Sequence, residues 1–130
     1  IQQINTELEA IQNFLESPFS DSGNPEEVTQ RALWLEEMMA RSGKLLADAE
    51  YHRDGFLNSE ITKTIKEALN ETKWPVSITA KKIDALARDY NHTVKWAERV
   101  NRTVTHSHQF CITLISKIKT EMVMNGQRTY

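Results

Sequence analysis

The chain holds one cysteine, three prolines and four glycines in 130 residues, with no long hydrophobic run. A single cysteine excludes an internal disulfide and fits a reducing compartment, so the cytoplasm is the expected setting. The longest uncharged stretch in the C-terminal half, Thr103 to Ser116, is too short and too polar to span a bilayer. No signal peptide is visible, and no membrane association is expected. Glycine is too sparse for a phosphate-cradling loop, and neither a nucleophile elbow nor a metalloprotease helix motif occurs. The expectation is therefore a non-enzymatic protein that needs no cofactor. An excess of positive charge is also missing: 16 Lys and Arg stand against 18 Asp and Glu, for a net charge of −2. That balance argues against nucleic-acid binding by bulk electrostatics.

What is present reads as long helices in one domain. Hydrophobic residues at 39% and charged residues at 26% lie in the ordinary globular range. Ile4, Leu8, Ile11 and Leu15, spaced four, three and four, share one face of a helix expected over about 2–16. The stretch "SPFSDSGNPEE" is turn chemistry, and Asn24-Pro25-Glu26-Glu27 reads as a capped helix start with acids at the positive end of the dipole. The second helix is expected over 25–71. Val28, Ala32, Leu35, Met39, Leu46, Ala49 and Phe56 keep a four-three rhythm with the polar Ser42 and Arg53 in it, and the apolar face then shifts to Leu57, Ile61, Ile65 and Ala68. Gly43 and Gly55 are places where it can kink or break, each costing about 1 kcal/mol relative to alanine. "TKWPVS" closes it, since proline cannot continue the ladder.

The third helix, expected over 79–124 with a tail at 125–130, carries the clearest pattern. Ile83, Ala87, Tyr90, Val94, Ala97, Asn101, Val104, His108, Cys111, Ile115, Ile118 and Met122 alternate four and three. That period of 3.5 is the seam of a coiled coil or long bundle. Leu86, Val100 and Leu114 widen the stripe on one flank, with Trp96 and Phe110 beyond, so the helix should touch more than one partner. Two long helices of nearly equal length joined by a short turn imply an antiparallel hairpin. A first helix of about 15 residues covers at most a third of it by rise per residue. The fold expected is thus all-α: a long antiparallel hairpin plus a short N-terminal helix. Completion of the coiled-coil-like bundle by self-association into a dimer or tetramer is favoured over helix two folding back.

Charge is placed unevenly. Residues 1–78 hold 7 Lys/Arg and 14 Asp/Glu, and residues 79–130 hold 9 and 4, so the halves carry −7 and +5 and sum to −2. Opposite charge on packed segments favours their pairing over like with like.

"VTHSHQFC", residues 104–111, invites a metal or nucleophile reading. His106 and His108, two apart, diverge by about 200° around a helix and cannot share an ion. His108 and Cys111 face the same way and supply two of zinc's four ligands, with His52 the other imidazole expected on an inward face. A metal-dependent enzyme at His108 and Cys111 is one alternative, but a buried structural cysteine is the favoured reading. The packing seam Tyr90, Val94, Ala97, Asn101, Val104, His108, Cys111 and Ile115 is expected to act as a whole. Polar Asn101 and His108 would set register or bond the facing helix, and protonation of a buried His108 would loosen an assembly.

Lys81, Arg88, Lys95 and Arg102 recur every seven residues, with Arg99 beside them. They form a basic stripe, a candidate anion or nucleic-acid contact. Asp84–Arg88 and Glu98–Arg102 would pair at four apart and account for half of it, and no interleaved aromatics offer bases a platform. Nucleic-acid accessory binding is therefore the weaker alternative. Adjacent acids such as Glu36-Glu37 diverge around a helix, as do the four residues Tyr51 to Asp54. Three Asn-x-Ser/Thr triplets, at Asn70, Asn91 and Asn101, only weakly exceed the roughly one expected by chance, and a glycan would not fit in the seam at Asn101.

"LLADAEYHRDGFLNSEI" and "NRTVTHSHQFCITLISKIKTEM" resemble segments of small helical proteins of bacteriophage and prophage genomes. In those, an Ala/Glu/Tyr-rich helix precedes one ending in an Ile-Ser-x-x-Lys-x-Glu type tail, here Ile115 to Glu121. The resemblance implies a setting and carries over no functional residue. The function expected is that of a self-associating helical interaction or scaffold protein, with a protein partner.

Overall fold

The computed structural model describes residues 1–71 and 75–128, and their side chains except at 61 and 126–128. The turn expected at 72–74, the last two residues of the expected tail, and Ile61 of the expected apolar face lie outside the described residues. Within them the protein is an all-α bundle with no strand: α1 (Gln2–Glu16), α2 (Pro25–Leu57), α3 (Glu60–Glu71), α4 (Val76–Leu86) and α5 (Arg88–Arg128). None of the described helices is long and apolar enough to cross a membrane.

Helix α1 buries Ile4, Leu8 and Ile11, three of the four residues on its predicted face. The Arg31 side chain donates to the Phe14 carbonyl at 3.2 Å, satisfying one of the acceptors left open at the helix end. Asn24 caps α2 as its sequence implies, its Oδ1 accepting the amides of Glu26 at 3.0 Å and Glu27 at 3.3 Å. The Glu27 carboxylate in turn accepts the amides of Ser20 and Asp21, at 2.7 and 3.1 Å, tying the 17–24 loop to the start of α2.

The structure corrects the expected second helix. It runs unbroken through Gly43 and Gly55, then stops at Leu57. The break lies at Asn58-Ser59, where side chains replace the lost ladder. Asn58 donates its side-chain amide to the Asp54 carbonyl at 2.9 Å. Ser59 Oγ accepts the Thr62 amide at 3.3 Å, and the buried Thr62 hydroxyl donates to the Phe56 carbonyl at 2.8 Å. One helix is thus ended and the next started by polar groups that neither glycine supplies.

The third helix is also two. It starts at Val76, with the amides of Ile78 and Thr79 bonding the Pro75 carbonyl at 3.0 Å, and turns at Ala87 before α5. The four-apart bonds Ala87 to Ile83 and Asn91 to Ala87 persist across that turn, so it is a bend rather than a gap. α5 then continues to Arg128, beyond the end expected at residue 124.

Helices α2 and α5 are antiparallel. Phe56 stacks on Tyr90 with ring centroids 5.0 Å apart, and Asn101 bonds Ser42 at 2.9 Å, so numbering falls on one helix as it rises on the other. Two or three residues beyond the Phe56–Tyr90 pair, both sides reach their breaks, Asn58-Ser59 on one and Ala87 on the other. Past them α3 packs on α4.

Helix α1 lies along the hairpin, antiparallel to α2 and parallel to α5. Glu7 is ion-paired with Arg41, and the Phe14 end meets Arg31 and Trp34. Asn5 accepts from the Thr93 hydroxyl at 2.9 Å, and Gln12 accepts from the Trp96 indole at 2.7 Å. The core sits where the three helices meet: Leu8, Leu35, Leu45, Val28, Ala97 and Val104 are all but fully buried.

Candidate functional site

Along α5 the predicted seam packs on α2 of the same chain. Val94, Ala97, Val104 and Cys111 are buried, while Tyr90, Asn101, His108 and Ile115 are partly so. Asn101 donates to Ser42 Oγ at 2.9 Å, and that fully buried hydroxyl donates onward to the Met39 carbonyl at 3.2 Å. One of the two polar seam residues therefore has its partner on the facing helix. Its amide nitrogen, the atom a glycan would take, is thereby engaged in the packed contact.

Burial pushes the Cys111 thiol above its ordinary value, against a weaker opposing pull from the Arg31 guanidinium. His108 shares its face, but His106 is exposed. His52 does not sit inward as expected: it is exposed on α2 near the Phe56 end, its ring 5.9 Å from that of Tyr51. Among the described residues no group of three or more His, Cys, Asp or Glu converges to hold a metal ion. On α2, the Lys44 ammonium, 2.7 Å from Asp48, holds that carboxyl below its usual range.

The basic stripe is not one row on one helix. Lys81 lies on α4, before the bend at Ala87, and Arg88, Lys95, Arg99 and Arg102 lie on α5. All five are exposed. The expected neutralising pairs are not formed: among the described residues neither Asp84–Arg88 nor Glu98–Arg102 comes within 4.0 Å, and the first straddles the bend. The stripe's charge is therefore less compensated than its spacing implied.

A groove of about 640 Å³ runs between α1 and α5 and gathers two of these cations. From α5 come His92, Lys95, Trp96, Arg99, Val100 and Thr103, which recur at three- and four-residue steps on one helix face. From α1 come Gln12, Leu15 and Glu16. The Gln12 amide joins the two walls: its oxygen accepts from the Trp96 indole at 2.7 Å and its nitrogen donates to the Glu16 carboxylate at 3.2 Å. That chain of bonds fixes the indole and engages the groove's carboxylate.

The other distinctive surface is the end of α5. Ile118 still touches the core, but Met122, Val123 and Met124 are 61%, 60% and 50% exposed, and every described side chain from Lys119 onward faces solvent. The seam pattern includes Met122, yet α2 begins only at Pro25 and gives it nothing to pack against.

Compared with protein-family models, with curated proteins and with solved structures, the chain matches none. The groove is the part of the site that the seam pattern did not reveal. Its signal was the apolar flank of α5 outside the seam, Val100 with Trp96 beyond it, which marks a second neighbour without naming α1.

Proposed function

We propose that the protein works by binding, as a non-enzymatic helical interaction module that self-associates through the free end of α5. The observation that carries this reading is the apolar run Met122, Val123 and Met124, exposed on a helix that outlasts its partner. Apolar side chains spread around a projecting helix gain free energy when covered, at about 25 cal/mol per Å² removed from water. A second copy suits the place by charge. The segment ahead carries Lys117 and Lys119 against the one acid Glu121, and the acid-rich N-terminal half of another chain, with Glu26 exposed at the start of α2, offers the complement. Such a scaffold fits the phage or prophage setting implied by the sequence resemblance.

Nucleic-acid binding has less support, because the stripe is divided by the Ala87 bend and has one indole beside it rather than a stacking platform. The deciding experiment is solution mass by light scattering after gel filtration, for the protein and for Met122→Lys/Val123→Lys. A multiple of 15.0 kDa that falls to 15.0 kDa in the double variant is the expected result. A mass of 15.0 kDa for the unaltered protein at high micromolar concentration overturns the reading.

A further inference from the structure

The groove between α1 and α5 combines features that the self-association reading does not use. Its floor is apolar, made by Leu15, Val100 and the indole of Trp96. Its rim is cationic: Lys95 and Arg99 line it, and among the described residues neither is in an ion pair. The one carboxylate in the groove, Glu16, accepts instead from Gln12. The Trp96 ring is held by its bond to Gln12, so the apolar surface exists before any ligand arrives and costs little to organise.

From this we infer that the groove is a binding site for an amphipathic monocarboxylate, with the acid group on Lys95 and Arg99 and the hydrocarbon along Trp96, Leu15 and Val100. The volume of 640 Å³ is in the range of small-molecule sites, about 300–1,000 Å³. From His92 to Thr103 the α5 wall is about 16 Å long by helical rise, with Lys95 and Arg99 inside it, level with Trp96 and Val100. A free phosphate would satisfy the rim but leave the floor wet. A neutral alkane would cover the floor but leave two cations set against a single carboxylate, Glu16. Two neighbouring cations beside an apolar floor select a ligand that is charged at one end only.

Sodium decanoate, kept below its micelle concentration, is the probe. Trp34 and Trp74 are replaced by phenylalanine so that Trp96 alone emits, with decanol and decyltrimethylammonium as controls of the same chain length. We expect a saturable change in Trp96 emission with decanoate. In Lys95→Gln/Arg99→Gln its affinity falls about tenfold, while the weaker binding of decanol is unchanged. Amide chemical-shift mapping on the unaltered protein reads the same contact on α1 and α5 without the tryptophan replacements. The inference is overturned if decanoate produces neither a saturable emission change nor shifts confined to the groove. It is equally overturned if the double variant binds decanoate as tightly as the parent, or if decyltrimethylammonium binds as well as decanoate. None of these outcomes depends on the oligomeric state.

Discussion

Asn101 and Ser42 show how a polar pair sits inside an otherwise apolar contact. The Asn101 amide reaches across from α5 at 2.9 Å, and Ser42, fully buried, retains a second bond at 3.2 Å to the Met39 carbonyl. Removing the amide alone leaves the serine hydroxyl with one partner, so the cost lies toward the low end of that for a broken buried bond. Asn101→Ala is expected to lose about 1 kcal/mol in urea denaturation, and Asn101→Leu with Ser42→Ala to recover most of it. A double-mutant cycle with no coupling would show that the pair contributes nothing. Cys111 gives a pH signature. Its folded-state value is raised by burial, so below the ordinary value of 9.0 both states keep the proton and its contribution is constant. Above 9.0 the unfolded chain ionises first, and stability is lost as pH climbs toward the raised folded value. The urea midpoint of the protein should therefore fall more steeply between pH 8 and 10.5 than that of Cys111→Val. Parallel curves would contradict this. The seam position of both residues was legible from the 3.5-residue period. Ser42 as the partner was not, because a period gives a face and not the register of the facing helix.

Helix α2 separates propensity from placement. Glycine in a helix interior is unfavourable, so Gly43 and Gly55 looked like the weak points, yet both are helical. A Cβ at Gly43 would meet Asn101 Nδ2 at 3.8 Å, ordinary contact, and one at Gly55 would meet nothing within 4 Å. Gly43→Ala and Gly55→Ala are thus each expected to stabilise by about 0.5–1 kcal/mol, raising the melting temperature by a few degrees. A lower melting temperature for Gly43→Ala would mean that the helix needs its close approach to Asn101. The actual break used a signal present in the sequence, Asn58-Ser59-Glu60: a residue that bonds back to the helix behind it, then a cap for the one ahead. At Ala87 no proline, glycine or capping residue marks the bend. It lies level with the α2 break across the hairpin, which a local reading of α5 does not contain.

On the scale of the whole molecule, α1 decides which surfaces remain free. It covers the hairpin from the Glu7–Arg41 pair to the Arg31 cluster, where the guanidinium lies over the rings of Phe14 and Phe19 at 4.6 and 4.9 Å. What it leaves uncovered is uneven. At one end α4 exposes Val76, Ile78 and Leu86, and at the other α5 exposes Met122, Val123 and Met124. In between, α2 exposes Leu33, Trp34 and Tyr51 and α5 exposes Phe110 and Ile112, each set among polar positions such as Glu36, Lys44, Glu98 and Arg102. Association through the end of α5 should therefore be little affected by polar changes in the middle of the hairpin. Light scattering on Glu36→Gln/Glu98→Gln should return the mass of the parent. A loss of assembly in that variant would move the interface to the middle.

The amino-acid sequence by itself determined the helical class, the buried face of α1, most of the α5 seam and the Asn24 start of α2, because these depend on residues within a turn or two of one another. The face expected beyond Leu57 was not kept, since Ala68 is exposed and Thr62 buried. The tertiary structure decided the rest. Whether Asn101 meets Ser42, whether Lys95 and Arg99 stand over an apolar floor, and where the seam of α5 runs out of partner all depend on how one helix is set against another. That setting is the summed outcome of packing along whole surfaces, and no local spacing encodes it.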